Sequence, residues 1–263
     1  MTWARISNMT IATWNVNSVR ARLERLLAFL QRAKPDVLCL QELKAQEHEV
    51  PFAEVAALGY QAAVFGQKTY NGVAILSRLP IAETKKGMPG HEAEARVVSA
   101  TIAGVRVVSV YVPNGFEVES DKYAYKQAFL ADLHAFLKGL CPLESPVAVC
   151  GDFNIIPDDK DCWDPTVWEG TVLYNKDMRS AFQGLLGLGL VDVLRRHNQA
   201  PGVYTFWDYQ QLAFPKNHGL RIDFVLASPP LAERCTGCKV LRDERKGQRP
   251  SDHVPVVAEF SWP

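Results

Sequence analysis

The sequence predicts an α/β fold in which strands fall into two groups with helices interspersed. Three observations lead there. Short apolar runs bounded by Pro, Gly or charged residues, such as Val147-Ala148-Val149-Cys150, read as buried strands. Longer stretches whose apolar residues recur at helical spacing lie between them. Polar residues able to carry chemistry stand repeatedly where a strand ends, the usual meeting point of rigid scaffold and solvent.

Residues 9–14 read as the first strand, followed by Asn15-Val16-Asn17-Ser18. Ser18 is positioned to cap a helix whose apolar side is Val19, Leu23, Leu26, Leu27 and Leu30. Pro35-Asp36 closes that helix, and residues 37–40 form a buried strand that runs into Gln41-Glu42-Leu43-Lys44. A carboxylate at the end of an apolar strand needs a partner. For Glu42 that is either a hard divalent cation or a salt bridge to Lys44 or an arginine.

Residues 60–65, 72–76, 97–102 and 105–112 are further strands, the last two a hairpin across Ala103-Gly104. The hairpin runs out into Tyr111-Val112-Pro113-Asn114-Gly115, which places a phenol and an amide at a strand exit. Residues 121–140 are a long amphipathic helix with Phe129, Leu133, Phe136, Leu137 and Leu140 on one side. It returns the chain to the 147–150 strand and to Gly151-Asp152-Phe153-Asn154, which alone suits either a site or an Asx turn.

Residues 158–176 are a polar, tryptophan-bearing excursion without a period, and loops of that length are usually functional or disordered. Residues 179–197 return to helix, and residues 204–209 are dense in aromatics, either core or a strand facing another layer, or a stacking surface. Residues 217–228 read as a strand carrying Asp223 among apolar neighbours, a carboxylate that must be paired. His253, in Ser251-Asp252-His253 before the last strand, is the natural partner, and an Asp-His pair orients and charges the imidazole.

Composition sets the outer limits. The 263 residues, 48% hydrophobic and 22% charged, suit a soluble chain with a sizeable core and no linker, so one domain over 1–263 is expected. Lys+Arg and Asp+Glu both number 29, so charge neither announces nor excludes a nucleic acid. Residues 1–8 contain no apolar stretch of a secretory signal, and no apolar run is long enough to span a membrane. Six cysteines, mostly in apolar runs, suit buried thiols in a reducing compartment, so a cytoplasmic, membrane-free monomer is expected. Cys235-Thr236-Gly237-Cys238 lacks the second ligand pair of a zinc site and is expected to be structural. GxSxG and GxxxxGK[ST] are both absent. Carboxylates for a metal, a carboxylate base and a hydrogen-bonding histidine together suit a metal-dependent phosphoesterase.

Six blocks in order carry a resemblance. They are Trp14-Asn15-Val16-Asn17, the stretch from Pro35 to Lys44, Tyr111-Val112-Pro113-Asn114, Gly151-Asp152-Phe153-Asn154, the stretch from Asn217 to Ser228, and Ser251-Asp252-His253. Together they resemble the exonuclease III family of AP endonucleases, within the DNase I-like endonuclease/exonuclease/phosphatase superfamily. The resemblance implies a four-layer α/β sandwich, two mainly antiparallel sheets packed face to face with helices outside. It implies a DNA-repair enzyme cutting 5′ of abasic sites in double-stranded DNA, trimming blocked 3′ ends and digesting 3′→5′. Alternatives are a mainly exonucleolytic enzyme and a non-catalytic nucleic-acid-binding regulator.

Carried over by residue, Glu42 resembles the main ligand of a Mg2+ ion, with Mn2+ as a substitute, and Asn15, Asp152, Asn154 and Asp252 lie near it. Asp152 would activate the attacking water, and Asn154 would orient that water or hold the scissile phosphate. Tyr111 and His253 would hydrogen-bond the phosphate, with Asp223 fixing His253. Phe206, Trp207 and Leu220 resemble the pocket for a flipped-out abasic deoxyribose, and Asn114 and Arg221 are candidates to hold the DNA backbone. Arg242, Arg245, Lys246 and Arg249 are expected either to touch DNA phosphates or to form a solvated loop with Asp243 and Glu244. Asn17 departs from relatives with an aspartate there, Asp192-Val193-Leu194-Arg195 departs from a second family signature, and the 158–176 loop is its own.

Overall fold

The computed structural model describes residues 8–140 and 145–262; the stretch expected to lack a secretory signal lies almost wholly outside them. The first half of the chain forms β1 (Asn8–Asn15), α1 (Leu23–Ala33), β2 (Val37–Gln41), α2 (Phe52–Ala57), β3 (Gln61–Phe65), β4 (Val73–Ser77) and β5 (Ile81–Lys86). Then come β6 (Val97–Ile102), β7 (Val105–Tyr111), α3 (Asp121–Leu140), β8 (Val147–Asp152), α4 (Pro165–Trp168) and α5 (Lys176–Gly187). The remainder is β9 (Val191–Asp192), α6 (Val193–His197), α7 (Ala213–Lys216), β10 (Asp223–Ala227), α8 (Pro229–Ala232), β11 (Cys235–Val240) and β12 (Val256–Ser261).

Two six-stranded sheets result, ordered β11-β12-β1-β2-β4-β3 and β5-β6-β7-β8-β10-β9. Each is antiparallel except for one central parallel pair, β1 with β2 and β7 with β8. Alternation along the strands builds the layers. Ile11, Val37 and Cys39 face inward onto Ala100, Val107, Ala148 and Cys150 of the other sheet. Their neighbours Ala12, Leu38 and Leu40 face outward onto Leu26, Phe29 and Leu30 of α1. On the far side Val147 and Val149 meet Phe129, Leu133 and Leu137 of α3 and Phe182 of α5. The fold is thus the helix–sheet–sheet–helix sandwich expected.

The parallel pairs decide where chemistry can sit. Their register puts Asn15 beside Gln41 and Tyr111 beside Asp152, so all four strands exit at one end. β10, antiparallel to β8, starts at that same end and sets Asp223 beside Asp152. Gly151 makes the β7–β8 pairing possible at close quarters, because a Cβ there would lie 1.9 Å from the carbonyl oxygen of its register partner Val110.

Several elements differ from expectation. Ser18 does not cap α1: it has φ +86°, its Oγ accepts from the Ala21 N–H at 3.3 Å, and the helix begins a turn later at Leu23. The 179–197 helix is two, because the chain turns at Gly189 (φ +93°) to form β9 before α6. The 158–176 excursion contains α4, capped by the Asp164 side chain on the Thr166 N–H. Residues 204–209 form no strand, only single bridges from Phe206 to Leu220 and His253. Edge strands β5 and β11 escape the apolar-run signal, since β5 is largely exposed and β11 is bulged between Cys235 and Gly237.

Candidate active site

The strand exits converge on a buried polar cluster. Asn15 is its hinge: Nδ2 donates to Glu42 Oε1 and to Asp152 Oδ2, both at 2.9 Å. One amide therefore ties a carboxylate of the first sheet to one of the second. Its Oδ1 accepts from the Asn17 N–H at 3.0 Å, which fixes the amide's orientation. As placed, Asn15 orients the carboxylates and turns its oxygen away from them.

Local backbone makes this convergence possible. Asn17, Glu42, Lys44 and Asn154 all have positive φ, from +44° to +51°. Non-glycine residues rarely adopt this conformation, and clusters of them mark functional sites. The turn at Glu42 folds Lys44 back, so that its Nζ lies 2.9 Å from Glu42 Oε2 and donates to Asn17 Oδ1 at 2.6 Å. Asn17 Nδ2 in turn donates to Asp252 Oδ1 at 3.0 Å. Burial alone would raise Glu42, but Lys44 and Asn15 outweigh it and hold the carboxyl below its usual range.

Asp152, 1% exposed, sits at the centre. Its Oδ1 accepts from the Asn154 N–H at 2.9 Å, and its Oδ2 faces His253 Nε2 at 3.7 Å. The other imidazole nitrogen, Nδ1, lies 2.8 Å from Asp223 Oδ2. Burial works against a charged imidazole, but Asp223 and Asp152 outweigh it and raise His253 to about 10. The ring is therefore held as an imidazolium, with Nδ1–H on Asp223 and Nε2–H free on the side of Asp152. Burial, reinforced by the charges of Asp223 and Glu42, pushes Asp152 up to about 7 even against the attraction of His253.

Two donors complete the cluster. Tyr111 is raised well above an ordinary phenol by burial and by Glu42 and Asp152, so it keeps its proton. Arg96 lies over its ring at 5.1 Å. Asn154 Nδ2 donates to the Val112 carbonyl at 3.0 Å and its Oδ1 accepts from Asn114 Nδ2 at 3.3 Å, with Asn114 itself exposed.

Among the described residues, Glu42, Asp152 and His253 offer ligand atoms within 4.8 Å of one another. His253, protonated, is no ligand, which leaves the carboxylates of Glu42 and Asp152 close together, with Asp223 beside Asp152 and its Oδ1 buried without a hydrogen bond. Such a surplus of buried negative charge suits a hard divalent cation with oxygen ligands. The donor set fits the metal implied by the sequence.

Beside His253 opens a cavity of about 220 Å³ whose walls include Trp163, Trp168, Phe206, His218 and Leu220. Phe206 touches the imidazole, ring centroids 4.9 Å apart, and Trp163 stacks on His218 at 3.8 Å. Phe206 and Leu220 both line this cavity. Trp207 does not: it is 0% exposed, packed against Tyr204 and Phe214, with its Nε1 donating to Asn217 Oδ1.

Arg221 is likewise corrected. It is 2% exposed and its guanidinium is consumed by Asp161, at 2.6 and 3.0 Å, and Asp192, at 2.7 Å. Asp161 also pairs with Arg195. Buried between these two carboxylates, the guanidinium is out of reach of DNA. Arg245, too, is buried and donates to the Trp207 carbonyl, while Lys246 pairs with Asp243 and Glu244 with Arg32; Arg242 and Arg249 lie at the surface.

Sequence reasoning missed Trp163, Trp168 and His218 as pocket walls and gave Lys44 only as a salt-bridge partner. The tryptophans' signal was present, since Asp164-Pro165 is a helix start that would stiffen the excursion between them. The cysteines of Cys235-Thr236-Gly237-Cys238 are free and flank the β11 bulge.

Known proteins resemble this chain over nearly its whole length. The model of the endonuclease/exonuclease/phosphatase family matches residues 12–253. Exodeoxyribonuclease III of Haemophilus influenzae is 33% identical, over 96% of this chain and 100% of that protein. The solved AP endonuclease of Archaeoglobus fulgidus is 39% identical, with a TM-score of 0.92 over 96% of this chain and 99% of its own. The Neisseria 3′ phosphatase NExo, solved with a product DNA hairpin, is 41% identical, with a TM-score of 0.94 over 97% of this chain and 100% of its own.

Proposed function

The chain belongs to the endonuclease/exonuclease/phosphatase family, and from that premise we propose a metal-dependent DNA-repair phosphodiesterase. It cuts the backbone of duplex DNA on the 5′ side of abasic sites, and trims blocked 3′ ends and 3′-terminal nucleotides. The observation that carries this reading is Asp152, tied to Glu42 through Asn15 and faced by the Asp223-held imidazolium. We further propose that the chain acts as one domain and a monomer, since both sheets contribute to that cluster.

The chemistry follows from the residues. Asp152, raised toward neutrality, accepts the proton of the attacking water, and a base so tuned is efficient near pH 7. Asn154 orients that water. Oxygen attacks phosphorus, the bond from phosphorus to the 3′ oxygen breaks, and a 3′ hydroxyl and a 5′ phosphate remain. His253 and Tyr111 donate hydrogen bonds to the phosphate oxygens as negative charge builds in the pentacovalent transition state. Glu42 and Asp152, with Asn15, Asn154 and Asp252 around them, would hold a Mg2+ ion, for which Mn2+ can substitute. When bound, the ion neutralises charge on the phosphate and the leaving oxygen. Phe206 and Leu220 receive the flipped abasic sugar, which costs least to extrude because it carries no base. Asn114, exposed at the rim, holds the backbone.

The test is cleavage of a duplex with one synthetic abasic site, with Mg2+ and with EDTA, beside Asp152→Asn. A metal-dependent 5′ nick that is nearly lost in the variant supports the reading; an untouched abasic site contradicts it. A second reading, an enzyme mainly of 3′ ends, is favoured by Trp163 and Trp168, which narrow the sugar pocket. Digestion of 3′ ends without abasic-site cleavage would select it.

A further inference from the structure

One charged residue that the mechanism does not use lies behind the site. Lys126, on α3, is 0% exposed. Its Nζ donates to three backbone carbonyls, Asn154 at 2.6 Å, Val172 at 2.7 Å and Asn114 at 3.1 Å. These belong to three different segments: the exit of β8, the 158–176 excursion and the exit of β7. A neutral amine offers only two N–H groups, so three acceptors call for the ammonium. Burial draws that ammonium down to about 7, and the charge opposing the shift is Asp152. A buried cation held by neutral oxygens is costly, so a chain that keeps one has a use for its geometry.

The use is visible at Asn154. This residue is left-handed (φ +49°); its amide donates to Val112 through one of its two N–H groups and accepts from Asn114, and its backbone N–H goes to Asp152. Lys126 holds its carbonyl, which fixes the backbone that carries the amide. The lysine stem also packs where Gly115 passes, a Cβ there lying 3.0 Å from Lys126 Cδ. We propose that Lys126 is a positioning residue of the phosphodiester site, locking the β7 and β8 exits to each other and to the excursion so that Asn154 and Asn114 meet the phosphate in one arrangement. This rests on the nuclease reading above.

The experiment compares wild type, Lys126→Met and Lys126→Arg on 3′-end and abasic duplexes with Mg2+, with melting temperatures measured alongside. Lys126→Met is expected to lower kcat roughly a hundredfold with KM little changed, the usual cost of misplacing a reacting group by about an ångström. Lys126→Arg, which keeps cation and donors, is expected to recover at least roughly a tenth of wild-type turnover. A folded Lys126→Met with wild-type kcat overturns the proposal, as does equal impairment of both variants. Should Lys126→Met not fold, Lys126→Gln replaces it under the same criteria; failure of both to fold makes Lys126 a stability residue and also overturns the proposal. A wild type that cuts neither duplex overturns the nuclease reading itself.

Discussion

His253 Nδ1 stands 2.8 Å from Asp223 Oδ2, and both side chains are buried. The carboxylate fixes the ring's rotation and keeps both nitrogens protonated, leaving Nε2 as the free donor. Asp223→Ala is expected to reduce kcat by up to roughly 10⁴, the loss when a catalytic histidine's orienting carboxylate is disabled. Steady-state kinetics with Mg2+ check this; turnover within about threefold of wild type would exclude the role.

Asp152 should set a pH dependence of stability in the metal-free protein. Its folded value of about 7 lies above the ordinary 3.8, so the protonated form suits the fold better than the anion. Its contribution is full below about pH 4 and is lost as pH rises through about 7. Asp152→Asn, which mimics the neutral form, should therefore raise the melting temperature of EDTA-treated protein above pH 7, with the gain fading in acid. A variant less stable than wild type across that range would contradict the assignment.

Arg221→Met should destabilise the chain without acting on DNA contacts. It leaves Asp161 and Asp192 buried with a partner removed, and breaking such pairs costs about 3–5 kcal/mol. Urea denaturation measures the loss. The salt dependence of DNA binding by the folded variant should stay as in wild type, because no phosphate contact has gone; a shallower slope would return Arg221 to the interface.

Trp168→Ala should widen the cavity beside His253. The ratio of abasic-site cleavage to 3′-end trimming is expected to rise, by roughly tenfold if the wall costs the sugar about 1.4 kcal/mol. Parallel assays on the two duplexes read the ratio directly. An unchanged ratio would remove the tryptophan from substrate choice.

What could be read from the chain follows from what is local. Strands of the two central parallel pairs are buried on both faces and appear as apolar runs, and the residues at their ends, Asn15, Glu42, Tyr111 and Asp152, are aligned by register within each sheet and meet where the two sheets pack. Contacts between distant segments were not legible. Arg221 sits in a motif at a strand entry, yet its partners lie 60 and 29 residues away, and nothing nearby says that it is buried. Trp207 was misread for the same reason, because two adjacent aromatics gave no sign of which faces the cavity. β5 and β11 went unseen since edge strands need no apolar run. Ser18 looked like a cap by its position, but the chain uses that turn to close the site.

β1 finds its antiparallel partner only in β12, with Asn8 opposite Ser261 and Thr13 opposite Val256. His253 and Asp252 arrive on the same late segment. During translation the cluster of Glu42, Asp152 and Asp223 is thus synthesised without its imidazole, and the first sheet is left with an open edge at β1. Such distant pairing is slow to form and exposed to misassociation until it is made. It also means that a nascent or prematurely terminated chain is born without a working blade, so that cutting begins only after the last strand has been laid in place.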